Sequence, residues 1–180
     1  MAATQQKPSI RLLTQNDAQA YRELRLIVLQ SNPNSFLSSY EFEVDQPEHF
    51  FRYTVLDNFN PPHFGYFGYF IDEKMVGYIQ LTQNFEKKMA HTGQVFNLSV
   101  HPEFRKNGIG KALMLSVIQQ ASEAELEVLY LSCLSSNIEA KKLYESQGFI
   151  LCGEKPKATK WQDQYQDELI YYKLIDNQTL

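Results

Sequence analysis

The chain has 180 residues, of which 43% are hydrophobic, so it can bury one sizeable core and is predicted to form a single domain over residues 1–180, with its core at about 8–175. The net charge of −4, with both signs mixed along the chain, argues against a nucleic-acid partner. No apolar run approaches the ~18 residues of a membrane span, and the polar N-terminus lacks a signal-peptide core. We therefore expect a cytoplasmic protein with no membrane partner.

The cysteines and histidines give no sign of a metal site or a disulfide. Cys133 and Cys152 each lie inside an apolar run without C-x-x-C spacing, which predicts two reduced core residues. The four histidines show no paired spacing on a helix. We therefore expect no metal cofactor.

The first part of the chain is predicted to contain one strand and two helices. A short strand at 10–13 is followed by Thr14-Gln15-Asn16-Asp17, which resembles a capping box ahead of an amphipathic helix. Asn32-Pro33-Asn34 ends this helix, and residues 35–46 are polar and poorly patterned. Pro47 can open a second helix, which carries apolar residues between positions 50 and 56.

The rest of the chain alternates strands with two further helices, after a loop at 58–63. Apolar runs and turn residues predict strands at 64–71, 76–82, 95–100, 128–134, 149–153 and 169–175. The helices begin near Asn107 and Asn137. Strands first, followed by strand–helix–strand units, predict a mixed α/β sheet.

The segment after the strand that ends at Val100 is typical of an anion-binding loop. It is a basic turn with two glycines, Gly108 and Gly110, that leads directly into a helix. The first N–H groups of a helix have no intrahelical partner and carry partial positive charge, which favours a phosphate at that point. Arg105, Lys106 and Lys111 add positive charge, so the sequence predicts a cradle for a pyrophosphate.

Two common phosphate motifs do not fit this loop. The dinucleotide fingerprint G-x-G-x-x-G would need a small residue where Leu113 stands, and the loop G-x-x-x-x-G-K-[ST] has Ala112 in place of Ser or Thr. What remains is R-x-x-G-x-G at the start of a helix. The alternative is an ordinary strand-to-helix turn that uses glycine for its geometry alone.

A second motif spans Asn137 to Phe149 and reads N-x-x-A-x-x-L-Y-x-x-x-G-F. Asn137 can cap a helix, and apolar residues recur on one stripe that includes Tyr144. Gly148 suits the left-handed residue that ends a helix, and Phe149 begins the next strand.

Together the two motifs resemble those of the Gcn5-related N-acetyltransferase (GNAT) family. The resemblance implies an α/β (α+β) fold, with a single-domain, mixed and mostly antiparallel sheet of about seven strands flanked by about four helices. It also implies a splayed strand pair at the cofactor site. The implied activity is transfer of an acetyl group from acetyl-CoA to a primary amine by direct attack in a ternary complex, with no metal.

The resemblance also implies roles for particular residues. Backbone groups of Leu98, Ser99 and Val100 would contact the pantetheine arm. The loop amides and side chains would hold the pyrophosphate, through Arg105, Lys106, Asn107, Gly108, Ile109, Gly110 and Lys111. Asn137 would bond the pantetheine or the strand beside it, and Tyr144 would protonate the departing thiolate.

Each of these roles has a simpler alternative. Tyr144 could be a half-buried core aromatic, Asn137 could be only a helix cap, and Arg105 and Lys106 could be a solvated surface pair.

The residue that deprotonates the amine is not identified by the resemblance. Some histone-type relatives carry a glutamate where this chain has Gln94, and ribosomal-protein relatives carry one where it has Ser132; this departure argues against both subfamilies. The base could be a water chain, or a carboxylate such as Glu41 or Glu43. The simpler interpretation of Glu41 and Glu43 is that they are surface acids without a catalytic role.

The acceptor is also left open. The last hairpin, around 155–168, contains Trp161 and Tyr165, which could line an acceptor pocket or pack on the sheet edge. The acceptor could be a small amine, an amino acid, or a peptide or protein amine, and the enzyme a monomer or a homodimer. Two other hypotheses stay open: a non-catalytic acyl-CoA-binding or regulatory module, and a nucleotide-binding α/β protein.

Overall fold

One seven-stranded sheet runs through the computed structural model, which describes residues 8–57 and 59–176. Its strands are β1 (Pro8–Leu12), β2 (Gly65–Ile71), β3 (Lys74–Gln83), β4 (Thr92–Val100), β5 (Val128–Leu134), β6 (Ile150–Trp161) and β7 (Gln164–Leu174). The spatial order is β1-β2-β3-β4-β5-β7-β6, and β4 with β5 is its parallel pair among antiparallel neighbours. The predicted seven-stranded, mostly antiparallel sheet is confirmed.

Within residues 8–57 and 59–176, five α-helices flank the sheet, one more than the expected four or so. They are α1 (Ala18–Ser31), α2 (Tyr40–Val44), α3 (Glu48–Val55), α4 (Ile109–Glu123) and α5 (Ile138–Ser146). The extra helix is α2, which lies in the segment that the sequence left unpatterned. Residue 58, where the predicted loop at 58–63 begins, lies outside the described part of the chain. The polar N-terminus before residue 8 lies outside it as well.

The entry to α1 follows the predicted capping box. The backbone N–H of Thr14 donates to Asp17 Oδ2 at 2.8 Å, and the backbone N–H of Asn16 donates to Thr14 Oγ1 at 3.3 Å. Arg11 adds two hydrogen bonds to the Asp17 carboxylate, at 2.7 and 2.9 Å. The capping box thus caps the 3-10 turn Gln15–Asp17, which leads directly into α1.

Each face of the sheet supports its own apolar core. On one face α1 and α3 pack on β2 and β3, where Tyr21 lies against Tyr66 and Tyr78 with ring centroids 5.2 and 4.9 Å apart. On the other face α4 and α5 cover β3, β4, β5 and β7, with Leu113 and Leu129 fully buried. Burial of an apolar side chain of this size stabilises the fold by about 1.5–3 kcal/mol.

Two expectations about the C-terminal third are corrected. The strand predicted at 149–153 continues to Trp161, because β6 and β7 form a long hairpin that turns at Gln162 and Asp163. Cys152 lies on the exposed edge strand and is not a core residue, whereas Cys133 is half-buried. Both thiols are free. In the described ranges, 8–57 and 59–176, we find no helix with the length and apolar character needed to cross a membrane.

Candidate active site

The central feature of the site is the divergence of β4 from β5. The two strands pair in parallel from Thr92–Gln94 to Val128–Tyr130, and in the described residues no later register pair joins them. Beyond Tyr130, β5 remains paired with β7 as far as Leu134. The side of β4 that faces β5 is therefore open from Val95 to Val100, which confirms the expected splayed pair.

A β-bulge marks the start of this open segment. Tyr78 pairs with Ser99 and Gln80 pairs with Phe96, so Asn97 and Leu98 both lie opposite a single residue of β3. Asn97 has φ +55°, in the left-handed region that asparagine tolerates better than most residues.

Side chains on β2 and β3 hold the bulge in place. The Asn97 side-chain amide donates to Tyr66 Oη at 2.8 Å and to Gln80 Oε1 at 3.2 Å. The Gln80 amide in turn donates to Asp57 Oδ2 at 3.3 Å. This network was not found from the sequence, because only the strand register brings these four side chains together.

The three predicted pantetheine contacts lie at the end of the open segment. The side chains of Leu98 and Val100 pack against the α4 side of the sheet, and Ser99 is buried on the opposite side, next to Tyr78. Their side chains are thus used for packing. What the three residues can offer to a ligand in the gap is the backbone, and their contact with pantetheine stays a prediction.

The glycine-containing loop turns directly into α4. Pro102–Phe104 form a short 3-10 helix, Lys106 and Gly108 have φ of +63° and +79°, and Gly108 occupies the N-cap position of α4. Because glycine has no side chain, the first N–H groups of α4 have no side-chain cap from this position. A Cβ added at Gly108 would meet no atom within 4 Å, so open space lies in front of this helix end.

The basic residues of the loop differ in their surroundings. Lys106 and Lys111 are exposed. The Arg105 side chain instead donates to the Val100 carbonyl at 3.2 Å and to Ser31 Oγ at 3.1 Å, and burial lowers the pKa of its guanidinium. Arg105 therefore ties the loop to the ends of β4 and α1, an arrangement that the sequence analysis did not foresee.

The second motif forms α5 as its residues predict. The Asn137 Oδ1 atom accepts a hydrogen bond from the Ala140 N–H at 3.1 Å, so Asn137 is the N-cap of α5. Gly148, with φ +79°, follows the helix, and the N–H of Phe149 donates to the Tyr144 carbonyl at 3.0 Å. The Asn137 side-chain NH2 group takes no part in this cap and can donate a hydrogen bond to another group.

Tyr144 lies on the α5 side of the sheet, in the core cluster that contains Leu131 and Leu169. Its ring is 5.9 Å from Tyr171 and 6.2 Å from Phe149, and 8% of its surface is exposed. Burial, with a smaller contribution from the nearby Cys133, raises the pKa of the Tyr144 phenol well above its usual value. The phenol is protonated at neutral pH, as an exposed tyrosine also is, so the proton that a general acid must supply is present.

The two candidate bases of the α1–α3 region differ in their surroundings. Glu43 is 5% exposed, and both of its carboxylate oxygens accept hydrogen bonds from Arg25 at 2.8 to 3.1 Å. Glu41, by contrast, is exposed. A carboxylate buried in such an ion pair is committed to the fold. The interpretation of Glu43 as a surface acid is therefore wrong.

The aromatic residues of the last hairpin are exposed near its turn. Trp161 and Tyr165 retain 55% and 52% of their surface, and the Tyr165 ring lies under Lys157 and Lys160 at 5.1 and 5.4 Å. Neither ring enters the apolar cores. In the ranges 8–57 and 59–176, no three His, Cys, Asp or Glu side chains are grouped so that they could hold a metal ion.

Comparison with known proteins relates this chain to acetyltransferases. Over 77 residues it is 35% identical to the ribosomal protein bS18-alanine N-acetyltransferase of Escherichia coli strain K12, a match that covers 39% of this chain and 52% of that protein. Over 80 residues it is 34% identical to N-alpha-acetyltransferase 30 of Homo sapiens, covering 44% of this chain and 22% of that protein. The chain thus spans about half of the first relative and about a fifth of the second.

The fold is also similar to solved structures. The Salmonella typhimurium protein yncA, whose structure contains its cofactor acetyl-CoA, superposes with a TM-score of 0.77 at 16% identity, over 97% of both chains. The model of the acetyltransferase (GNAT) family matches residues 27–149, a span that includes the bulge, the loop and the helix carrying Tyr144. Because this match covers well over half of the 180 residues, the protein belongs to the GNAT acetyltransferase family.

Proposed function

We propose that this protein transfers an acetyl group from acetyl-CoA to a primary amine, by direct attack in a ternary complex. The observation that carries the proposal is the open backbone of β4 beside the uncapped start of α4. The open side of β4 offers peptide groups to the extended pantetheine arm, and the start of α4 offers N–H groups to a phosphate. The domain responsible would comprise about residues 8–175.

The proposed contacts follow from this geometry. The backbone at Leu98, Ser99 and Val100 would bond the pantetheine arm, with the Asn137 amide close by. The amides of Gly108, Ile109, Gly110 and Lys111 would face the pyrophosphate, since a ligand can approach Gly108 without obstruction. The exposed Lys106 and Lys111 side chains, with Asn107, would add charge and polarity, and Arg105 would keep the loop in position.

The chemistry requires one proton to be removed and one to be supplied. The amine nitrogen attacks the thioester carbonyl carbon, a C–N bond forms, and the C–S bond breaks. Tyr144 would donate the proton that the sulfur takes up, since its buried phenol is protonated at neutral pH. Thioester aminolysis of this kind needs no redox step.

Two measurements test the proposal. Calorimetric titration should show binding of acetyl-CoA but not of ATP or NAD. Thiol release from acetyl-CoA should then depend on an added amine, in a panel of small amines, amino acids, lysine peptides and peptides with a free N-terminal alanine. The last class enters the panel because one relative is named for that residue. Binding without release for any amine would favour an acyl-CoA-binding module, and no binding would refute both.

A further inference from the structure

A carboxylate on β7 lies against Ser132, on the face of the sheet opposite to Tyr144. Ser132 Oγ donates to Glu168 Oε1 at 2.5 Å, and Lys155 Nζ on β6 donates to Glu168 Oε2 at 2.8 Å. Glu168 is half-buried, and Ser132 is exposed. The three side chains belong to three neighbouring strands and meet only because of the strand register.

The register places this group beside the gap between β4 and β5. Ser132 lies two residues beyond Tyr130, the last β5 residue paired with β4. Side chains alternate along a strand, so Ser132 points away from the face on which Leu131 and Cys133 pack in the core with Tyr144. Glu168 alternates in the same way with the buried Leu169. The carboxylate and the Tyr144 ring therefore lie on opposite faces of the sheet, and the carboxylate is separated from the gap by β5 alone, across which Ser132 contacts it.

The Glu168 carboxylate has the properties of an available proton acceptor. Lys155, followed by Ser132, holds the pKa of the Glu168 carboxyl below its usual value, so the group is ionised at neutral pH. Each oxygen has one hydrogen-bond partner among the described residues, whereas a carboxylate accepts about four hydrogen bonds. Lys155 on β6 is the titratable group that bonds it from an adjacent strand, whereas the half-buried Cys133 thiol of β5 lies on the opposite face of the sheet.

Resting on the acetyl transfer proposed above, we propose that Glu168 is the catalytic residue that takes the proton from the acceptor amine. As the C–N bond forms, the amine nitrogen becomes positively charged and acidic. Its proton passes to the Glu168 carboxylate, the C–S bond breaks, and the sulfur receives the Tyr144 proton. Ser132 and Lys155 act as positioning residues, because each holds one carboxylate oxygen.

The first experiment compares two glutamates that differ in their placement. Glu168→Gln keeps the shape and an acceptor for Ser132 but removes the basic oxygen, so kcat with the best amine should fall by about 10²–10⁴-fold while acetyl-CoA affinity stays constant. Glu154→Gln makes the same charge change on β6, opposite the buried Leu169, and should leave kcat at the parent value. Equal kcat for the two variants would overturn the proposal.

The second experiment separates a proton acceptor from a structural ion pair. In Glu168→Ala, added formate should restore part of the lost kcat, since a small carboxylate can occupy the vacated space. Lys155→Met removes the ion pair but keeps the base, so it should retain far more activity than Glu168→Gln. If Lys155→Met were as damaging as Glu168→Gln and formate had no effect, Glu168 would be structural only. A parent protein that releases no thiol with any amine would refute the acetyl transfer itself, whereas an active Glu168→Gln variant would refute only the role of Glu168.

Discussion

Tyr144 shows how a single side chain can satisfy two interpretations. Its ring packs against Phe149 and Tyr171, as expected of a core aromatic. The phenol is protonated at neutral pH, as a general acid must be. The packing therefore does not argue against the chemical role, and only a change that removes the hydroxyl while keeping the ring can distinguish them.

Tyr144→Phe is expected to lower kcat by about 10²-fold, because the departing sulfur loses its proton donor. Acetyl-CoA affinity, measured by calorimetry, should change little. Tyr171→Phe is the matched control, since it removes a phenol from the adjacent ring of the same core. Unchanged thiol release in Tyr144→Phe would leave Tyr144 with a packing role alone.

Gly108 is required for its backbone conformation and not for lack of space. Its φ of +79° costs a residue with a Cβ about 1–2 kcal/mol, yet no atom lies within 4 Å of that Cβ position. We expect Gly108→Val to weaken acetyl-CoA binding by strain and by filling the approach to α4. Gly108→Asn tolerates the positive φ, so it reports crowding with less strain. Parent-like affinity in the valine variant, measured by calorimetry, would refute the cradle.

At the scale of elements, α2 depends on a tertiary ion pair. It has five residues, too few for a stable helix by itself, and Glu43 joins it to Arg25 on α1 with both side chains over 90% buried. The periodicity of residues 35–46 could not reveal this helix, because its stabilising partner is 18 residues away along the chain.

Glu43→Ala is expected to lower the free energy of unfolding by about 3–5 kcal/mol, because it leaves the Arg25 charge buried without its partner. Urea titration would measure the loss. The double variant Arg25→Met with Glu43→Leu removes both charges and should recover much of the stability. A double variant less stable than Glu43→Ala would contradict this explanation.

Other elements show where sequence patterns succeed and where they stop. The capping box at Thr14 and the helix end at Gly148 were predictable, since each depends on neighbours within a few residues. The second half of β6 was missed, because Lys155, Pro156 and Lys157 show no apolar alternation. The strand continues only because its pairing with β7 resumes at Thr159, after an irregularity.

For the whole molecule, the cofactor half of the site was predictable and the acceptor half was not. The pyrophosphate loop and α5 are continuous motifs, so their residue types and spacing can be recognised in the sequence. The bulge at Asn97 and the Ser132–Glu168 contact each need the register of separate strands. No spacing rule connects Ser132 with a residue 36 positions later.

The stability of the whole fold should decrease in acid. Arg11, then Thr14, holds the pKa of Asp17 below its usual value of 3.8, and Lys155, then Ser132, holds that of Glu168 below 4.5. A lowered carboxyl pKa stabilises the fold above the unfolded-state pKa, and this contribution is lost as pH falls through the folded value. Urea midpoints should therefore drop below about pH 4.5. Asp17→Asn should make the urea midpoint fall less steeply as the pH is lowered. An unchanged pH dependence would show that Asp17 does not contribute to the loss of stability.

The position of β6 at the end of the sheet has a consequence for solubility. An outermost strand leaves a row of N–H and C=O groups to which a foreign chain can attach. Here Pro156 interrupts that row, Lys157 leaves the extended conformation with φ +54°, and Lys155 and Lys160 add positive charge. The strand at the opposite border, β1, is short and begins with Pro8. Both borders are thus poor templates for the attachment of a foreign strand.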